Sequence, residues 1–177
     1  LSQFLLRLAF GLAVGMAITS PRKVSSGYFR NHLYVTLGLA TLAALAISRL
    51  SHAAAWLAGA AAVLSFFGAA CWLYEARRAG IVLLWCVAAC ALAAALIGQS
   101  ADGPLTTLRV VSVATSGLVL GLTMAAMLLG HWYLNSPGME LDPLRRLLIA
   151  MALAVGLQIL VSGLYLVGDL RAAPPTT

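Results

Sequence analysis

Six long apolar runs separated by short polar breaks take up nearly the whole chain. They cover about residues 4–20, 32–48, 53–74, 80–97, 105–131 and 144–168, each close to the ~20 residues a helix needs to cross hydrocarbon. The runs are apolar on every side, as expected of helices whose solvent is lipid. Membrane strands would instead alternate apolar and polar positions in segments of about ten residues. The expected fold is therefore all-α, a polytopic integral membrane helical bundle of six transmembrane helices with short loops. A single domain spans residues 1–170, and 171–177, with Pro174-Pro175, forms an extended or disordered tail.

The breaks carry recognisable stop and start signals. Ser20-Pro21 ends the first run, because proline removes a donor and disfavours helix in the residue before it. Arg49 and Ser51-His52 form the second break, and Glu75-Ala76-Arg77-Arg78 the third. Gly98 to Pro104 is the clearest loop, with Pro104 placed as the first residue of the fifth helix. Asn135-Ser136-Pro137-Gly138 reads as a turn, and Asp142-Pro143 as an N-cap followed by a first-turn proline.

Within the runs, Gly11-x-x-x-Gly15, Gly117-x-x-x-Gly121 and the alanine string from Ala58 to Ala62 place small residues on single helix faces. In lipid, where packing replaces the hydrophobic drive between helices, such faces let backbones approach closely. No internal repeat supports an inverted-repeat transporter.

Composition strengthens this picture. The chain is 62% hydrophobic and 9% charged, too little polar surface to coat a soluble globule. All five carboxylates, Glu75, Asp102, Glu140, Asp142 and Asp169, lie in the breaks or after the last run. The formal charge of +6 comes from basic residues scattered singly or in pairs at run ends. That is the distribution of membrane anchors and topology signals, and it gives no support to nucleic-acid binding.

Arg22, Lys23, Arg30, Arg77, Arg78, Arg145 and Arg146 fall on one side, and Arg7, Arg49, Arg109 and Arg171 on the other. The richer side predicts cytoplasmic loops around 21–31, 75–79 and 134–143, in a bacterial inner membrane. The first run lacks the charged start and cleavage site of a signal peptide. The chain opens on Leu1 rather than Met, which is compatible with a residue or segment upstream. Cys71, Cys86 and Cys90 sit in apolar runs without a CxxC, so they are expected as small packing residues between helices.

Candidate chemistry is sparse. Arg7 and Arg109 lie near run ends, where they can snorkel to the interface. The strongly polar mid-span residue is Gln158, expected to bond a neighbouring helix, with Ser65, Ser112, Thr115, Ser116 and Thr123 bonding back to their own. Glu140 and Asp142 are expected to pair with Arg145 and Arg146 at the surface. No phosphate loop, nucleophile elbow, HExxH or zinc-ligand spacing is present.

The histidines are more suggestive. His32 opens the second run and His131 closes the fifth, on the same, more basic side. Tyr28, Asn31 and Tyr34 surround the first, and Trp132, Tyr133 and Asn135 the second, with Arg30 and Arg145 in the adjoining breaks. His131 shares a helix face with Met127, Met124 and Gly117, where glycine admits a flat group or a close helix.

Three readings fit. The aromatics and arginines can be an ordinary interfacial belt. They can instead complete a quinone or lipid-headgroup site, with His32, His131, Trp132, Tyr133, Arg30 and Arg145 as its lining. Or His32 and His131 can be axial ligands of a b-type haem. The expected function is a small non-catalytic membrane subunit among other membrane-protein subunits and lipids, in a bacterial respiratory or electron-transfer complex. The alternatives are a haem b electron carrier and a transporter of a neutral or lipidic solute.

Overall fold

The computed structural model describes residues 1–99, 107–135 and 140–172. It is an all-α bundle of six helices: α1 Ser2–Ile18, α2 Ser26–Ile47, α3 His52–Leu73, α4 Arg77–Gln99, α5 Thr107–Asn135 and α6 Asp142–Ala172. Among the described residues there is no strand. Four helices, α3 to α6, are long and apolar enough to cross a membrane. The shorter α1, with 17 residues, and the more polar start of α2 lie alongside them in the same bundle.

The helices alternate in direction, so their ends fall into two groups. One holds the α1–α2, α3–α4 and α5–α6 connections and is here the Lys23 end; the other is the Arg49 end. Helix α1 packs on α2, α4 and α5, while α3 packs on α2 and α4. The first four helices thus close into a ring. Helix α5 lies against the outer side of α1, and α6 lies against α5.

The core changes character along the bundle axis. Towards the Arg49 end and the middle, it is built mainly from alanine: Ala9, Ala13, Ala40, Ala43, Ala54, Ala58, Ala61, Ala91, Ala94 and Ala95 are all fully buried. Small side chains there let the helix backbones approach closely. Towards the Lys23 end the core holds larger groups, Met16, Tyr28, Phe29, Trp72, Leu84 and Leu129.

The tightest seam joins α1 to α5. A Cβ on Gly11 would lie 1.9 Å from the Gly117 carbonyl oxygen, and one on Gly121 would lie 1.9 Å from the Gly11 carbonyl carbon. At Gly15 the corresponding distance is 2.7 Å, to the Ala125 Cβ. Contacts advance together along both chains, so α1 and α5 run in the same direction. The two glycine motifs read from the sequence are thus the two halves of one interface, and Gly117 admits Phe10 and the α1 backbone rather than a flat ligand.

Several expected boundaries shift. Helix α2 begins six residues before the apolar run at 32, because Ser25 takes an extended N-cap conformation (φ −64°, ψ 148°) and residues 26–31 continue the helix with their polar side chains near its end. Helix α4 starts at Arg77 and α5 continues to Asn135, so the breaks at 75–79 and 134–143 contain helical residues at both places. Arg171 and Ala172, assigned to the tail, belong to α6; residues 173–177, the loop around Pro104 and the Ser136-Pro137-Gly138 turn lie outside the described residues.

Helix α3 ends with Glu75 in the left-handed region (φ 56°). The Ala76 amide donates to Cys71 O at 2.8 Å and the Glu75 amide to Trp72 O at 3.4 Å, the paired bonds of a Schellman cap. A side chain there costs energy that glycine would not.

Candidate functional site

The first turns of α2 direct Tyr28, Phe29, His32 and Leu33 into the bundle, all buried. The spacing puts Tyr28 above His32, with ring centroids 4.2 Å apart. The His32 Nδ1–H donates to the Tyr28 carbonyl. Because that oxygen can only accept, Nδ1 carries the proton, and in the neutral ring Nε2 carries the lone pair. Thr36 Oγ1 in turn donates to His32 O at 2.9 Å.

From this pair an aromatic chain crosses three helices. Trp132 of α5 meets Tyr28 edge-on at 6.2 Å, and Tyr28 meets Phe29 edge-on at 5.3 Å. Phe29 stacks on Trp72 of α3 at 4.0 Å and 8°. Glycine makes room at both ends. A Cβ on Gly80 would come within 2.7 Å of the Trp72 ring, and one on Gly27 would touch Trp132 at 3.5 Å. Tyr28 OH donates to Ala125 O at 3.4 Å, linking α2 to α5. The indole nitrogens of Trp72 and Trp132 are buried without a hydrogen-bond partner.

Polar groups tie the connections together just outside this aromatic layer. Lys23 Nζ reaches Glu140 at 2.6 Å and Asp142 at 2.7 Å. Its hydrogen bond to Asp142, then that to Glu140, holds the Lys23 ammonium above the usual lysine range. Tyr133 OH donates to the Glu140 carbonyl. The partner of the two carboxylates is therefore Lys23 of the α1–α2 connection, rather than Arg145 and Arg146. Arg145 and Arg146 are exposed, whereas Lys23 reaches from the α1–α2 connection to the start of α6.

The six expected lining residues divide. His32 and Trp132 join through Tyr28, Tyr133 sits with Glu140 and Lys23, and Arg30 is half-buried. His131 and Arg145 are exposed. His131 faces outward with Met127, one turn before it and 59% exposed, while His32 faces inward. Phe29 and Trp72 complete the aromatic chain and went unnoticed in the sequence. Their signal was faint: Phe29 beside Tyr28, and Trp72 a few residues from Gly80 across a turn.

At the Arg49 end, Arg7 does not snorkel. Its Nη1 donates to Ser116 Oγ of α5 at 2.9 Å, and its Nε is buried without a partner. Gln3, one turn earlier, donates to Ala95 O of α4 at 3.1 Å. The close α1–α5 seam brings Ser116 within reach, so the guanidinium turns into the bundle. Between α5 and α6, Thr115 Oγ1 donates to Gln158 Oε1, and Gln158 Nε2 donates to Ser162 Oγ at 3.3 Å. Gln158 is the interhelical partner expected of it. Ser65 and Thr123 bond back to carbonyls of their own helices. The cysteines are all free; Cys71 and Cys90 are half-buried, but Cys86 faces outward rather than between helices.

Among the described residues, no group of His, Cys, Asp and Glu could hold a metal ion. The packing and the four apolar spans define the class: a multi-pass membrane protein whose helices contact lipid. Comparison with family models, curated proteins and solved structures finds no match.

Proposed function

We propose that this chain is a small non-catalytic integral subunit of a larger membrane assembly, a bacterial respiratory or electron-transfer complex. It sits in the inner membrane with its Lys23 end in the cytoplasm. The observation that carries the reading is how the polar side chains within the spans are used. Thr36, Thr41, Ser65 and Thr123 bond their own helices, Thr115 bonds Gln158, and Arg7 bonds Ser116. Of these, only Thr115 and Arg7 join helices, the other hydroxyls are satisfied within their own, and the outer faces are apolar, with Leu153, Ile159 and Leu160 of α6 each about two-thirds exposed. Such a surface suits lipid and the helices of neighbouring subunits.

Within the assembly, the aromatic group at the Lys23 end contributes to a quinone or lipid-headgroup site. The support is the Trp132 indole N–H, a buried donor without an acceptor, next to the Tyr28 ring that packs on His32.

Purification in mild detergent from the membranes of its own host tests the subunit role. The expected result is co-elution with other membrane proteins in fixed stoichiometry; a monodisperse monomer would overturn it. Titration with a short-chain quinone tests the site separately. Tryptophan fluorescence should be quenched saturably, and Trp132→Phe should remove that component.

A further inference from the structure

A second polar region lies at the Lys23 end, next to the aromatic chain. A cavity of about 460 Å³ opens between the α1–α2 and α3–α4 connections. Arg22, Lys23 and Arg77 line it together with Ser25, Ser26 and Glu75. Lys23 is engaged by Glu140 and Asp142. Arg22 and Arg77 form no ion pair among the described residues, although Glu75 shares the cavity. Two guanidiniums thus line one concave space with a single carboxylate, Glu75, that neither of them pairs with.

The backbone adds to this positive field. Helices α2 and α4 both begin at the cavity wall, with no acidic residue in either first turn. The Ser25 side chain, at the N-cap of α2, makes no capping bond, so its hydroxyl is available to the cavity. Tyr74, the residue before Glu75, is 82% accessible, and exposed aromatic rings concentrate at membrane interfaces. Planar guanidiniums match phosphate oxygens geometrically, and basic pockets at this depth recognise lipid phosphates.

We propose that this cavity is a binding site for a phosphate group, held by Arg22 and Arg77 with the Ser25 hydroxyl as a further donor. An anionic phospholipid headgroup presents that group from the surrounding leaflet; free phosphate presents the same chemistry from water. Glu75 opposes binding and sets its strength. The site is independent of the subunit role and of the aromatic chain.

Native mass spectrometry of the full chain in detergent tests this, with phosphatidylglycerol, phosphatidylcholine and inorganic phosphate as separate probes. Removing both arginines (R22Q with R77Q) should weaken phosphatidylglycerol binding by about thirtyfold, the value of two basic side chains at an anionic surface. Arg146→Gln, at the same end but outside the cavity, should change it far less than the double variant does. Glu75→Gln should strengthen binding, a change that misfolding cannot mimic.

Selective loss of phosphatidylglycerol binding in the double variant supports a lipid source. The same loss seen with inorganic phosphate, without preference for the lipid, supports the site with a soluble source. Binding of no probe, equal binding by the double variant, or weaker binding by Glu75→Gln overturns the proposal.

Discussion

Helix α5 has two neighbours and holds them by different physics. Against α1 it offers Gly117 and Gly121, where the α1 chain comes too close for anything larger than hydrogen, and then the small methyl of Ala125 opposite Gly15. Against α6 it offers ordinary side chains, one side-chain hydrogen bond from Thr115 to Gln158, and the Tyr133 hydroxyl on the Glu140 carbonyl just before α6 begins. Only 17% of the apolar window of α6 is buried, against 39% for α5. The first interface is specified by shape, where a single methyl group decides whether the helices meet. The second tolerates change, because adhesion is spread over adaptable side chains facing lipid.

The largest predicted effect breaks the first interface. Gly121→Leu forces a branched side chain into the α1 backbone, which cannot move aside as a side-chain end could. The expected loss is about 3 kcal/mol or more, read as a collapse of thermal stability in detergent and of monodisperse elution. Gly156→Leu on α6, where nothing lies within 4 Å of an added Cβ, supplies the contrast. It should leave stability within about 0.5 kcal/mol of wild type. Equal damage from the two substitutions would remove the distinction between the interfaces.

A smaller effect is expected between α5 and α6. Gln158→Leu removes the bond to Thr115, which retains its contact with Ser112 O at 3.3 Å. Interhelical hydrogen bonds in membranes average about 0.6 kcal/mol, so a loss of that order in unfolding by denaturing detergent is predicted. A loss several times larger would mean that α6 depends on this one contact.

The smallest effect concerns the Lys23 clasp, which is exposed and screened by salt. Lys23→Gln should leave global stability nearly unchanged. It should widen the distance distribution between spin labels at Arg22 and Arg146. The clasp is also pH-dependent in a defined direction. Asp142 and Glu140 raise the Lys23 pKa, so its contribution is complete below the unfolded lysine value and is lost as pH rises through the higher folded value. The label distance should therefore stay constant past the ordinary lysine pKa of about 10.4, then increase. Release below that value would contradict the assigned contact.

These contrasts also separate what could be read along the chain from what could not. The glycine motifs at 11–15 and 117–121 were visible as close-packing faces, since their spacing is local to each helix. Their mutual pairing was not, because more than a hundred residues separate them and any small face can meet any other. Gln158 was recognisable as an interhelical bonder because lipid offers it no alternative, whereas the inward turn of Arg7 depended on Ser116 lying opposite. At the candidate site, His32 and His131 looked equivalent in the sequence. Helical phase relative to the rest of the bundle sends one inward and the other out.

The sequence by itself determined the lipid environment, the all-helical class, and the alternation of helix direction that groups Lys23, His32, Trp132, Glu140 and Asp142 at one end. Each follows from a cost that every residue meets alone: backbone polar groups must be bonded within the helix, and charges must reach the interface. Only the tertiary structure decided which faces turn inward. Core and lipid are equally apolar, so hydrophobicity cannot distinguish them. The choice fell to shape, in the glycine seam between α1 and α5 and in the rings of Tyr28, Phe29 and Trp72, which find partners only across helices.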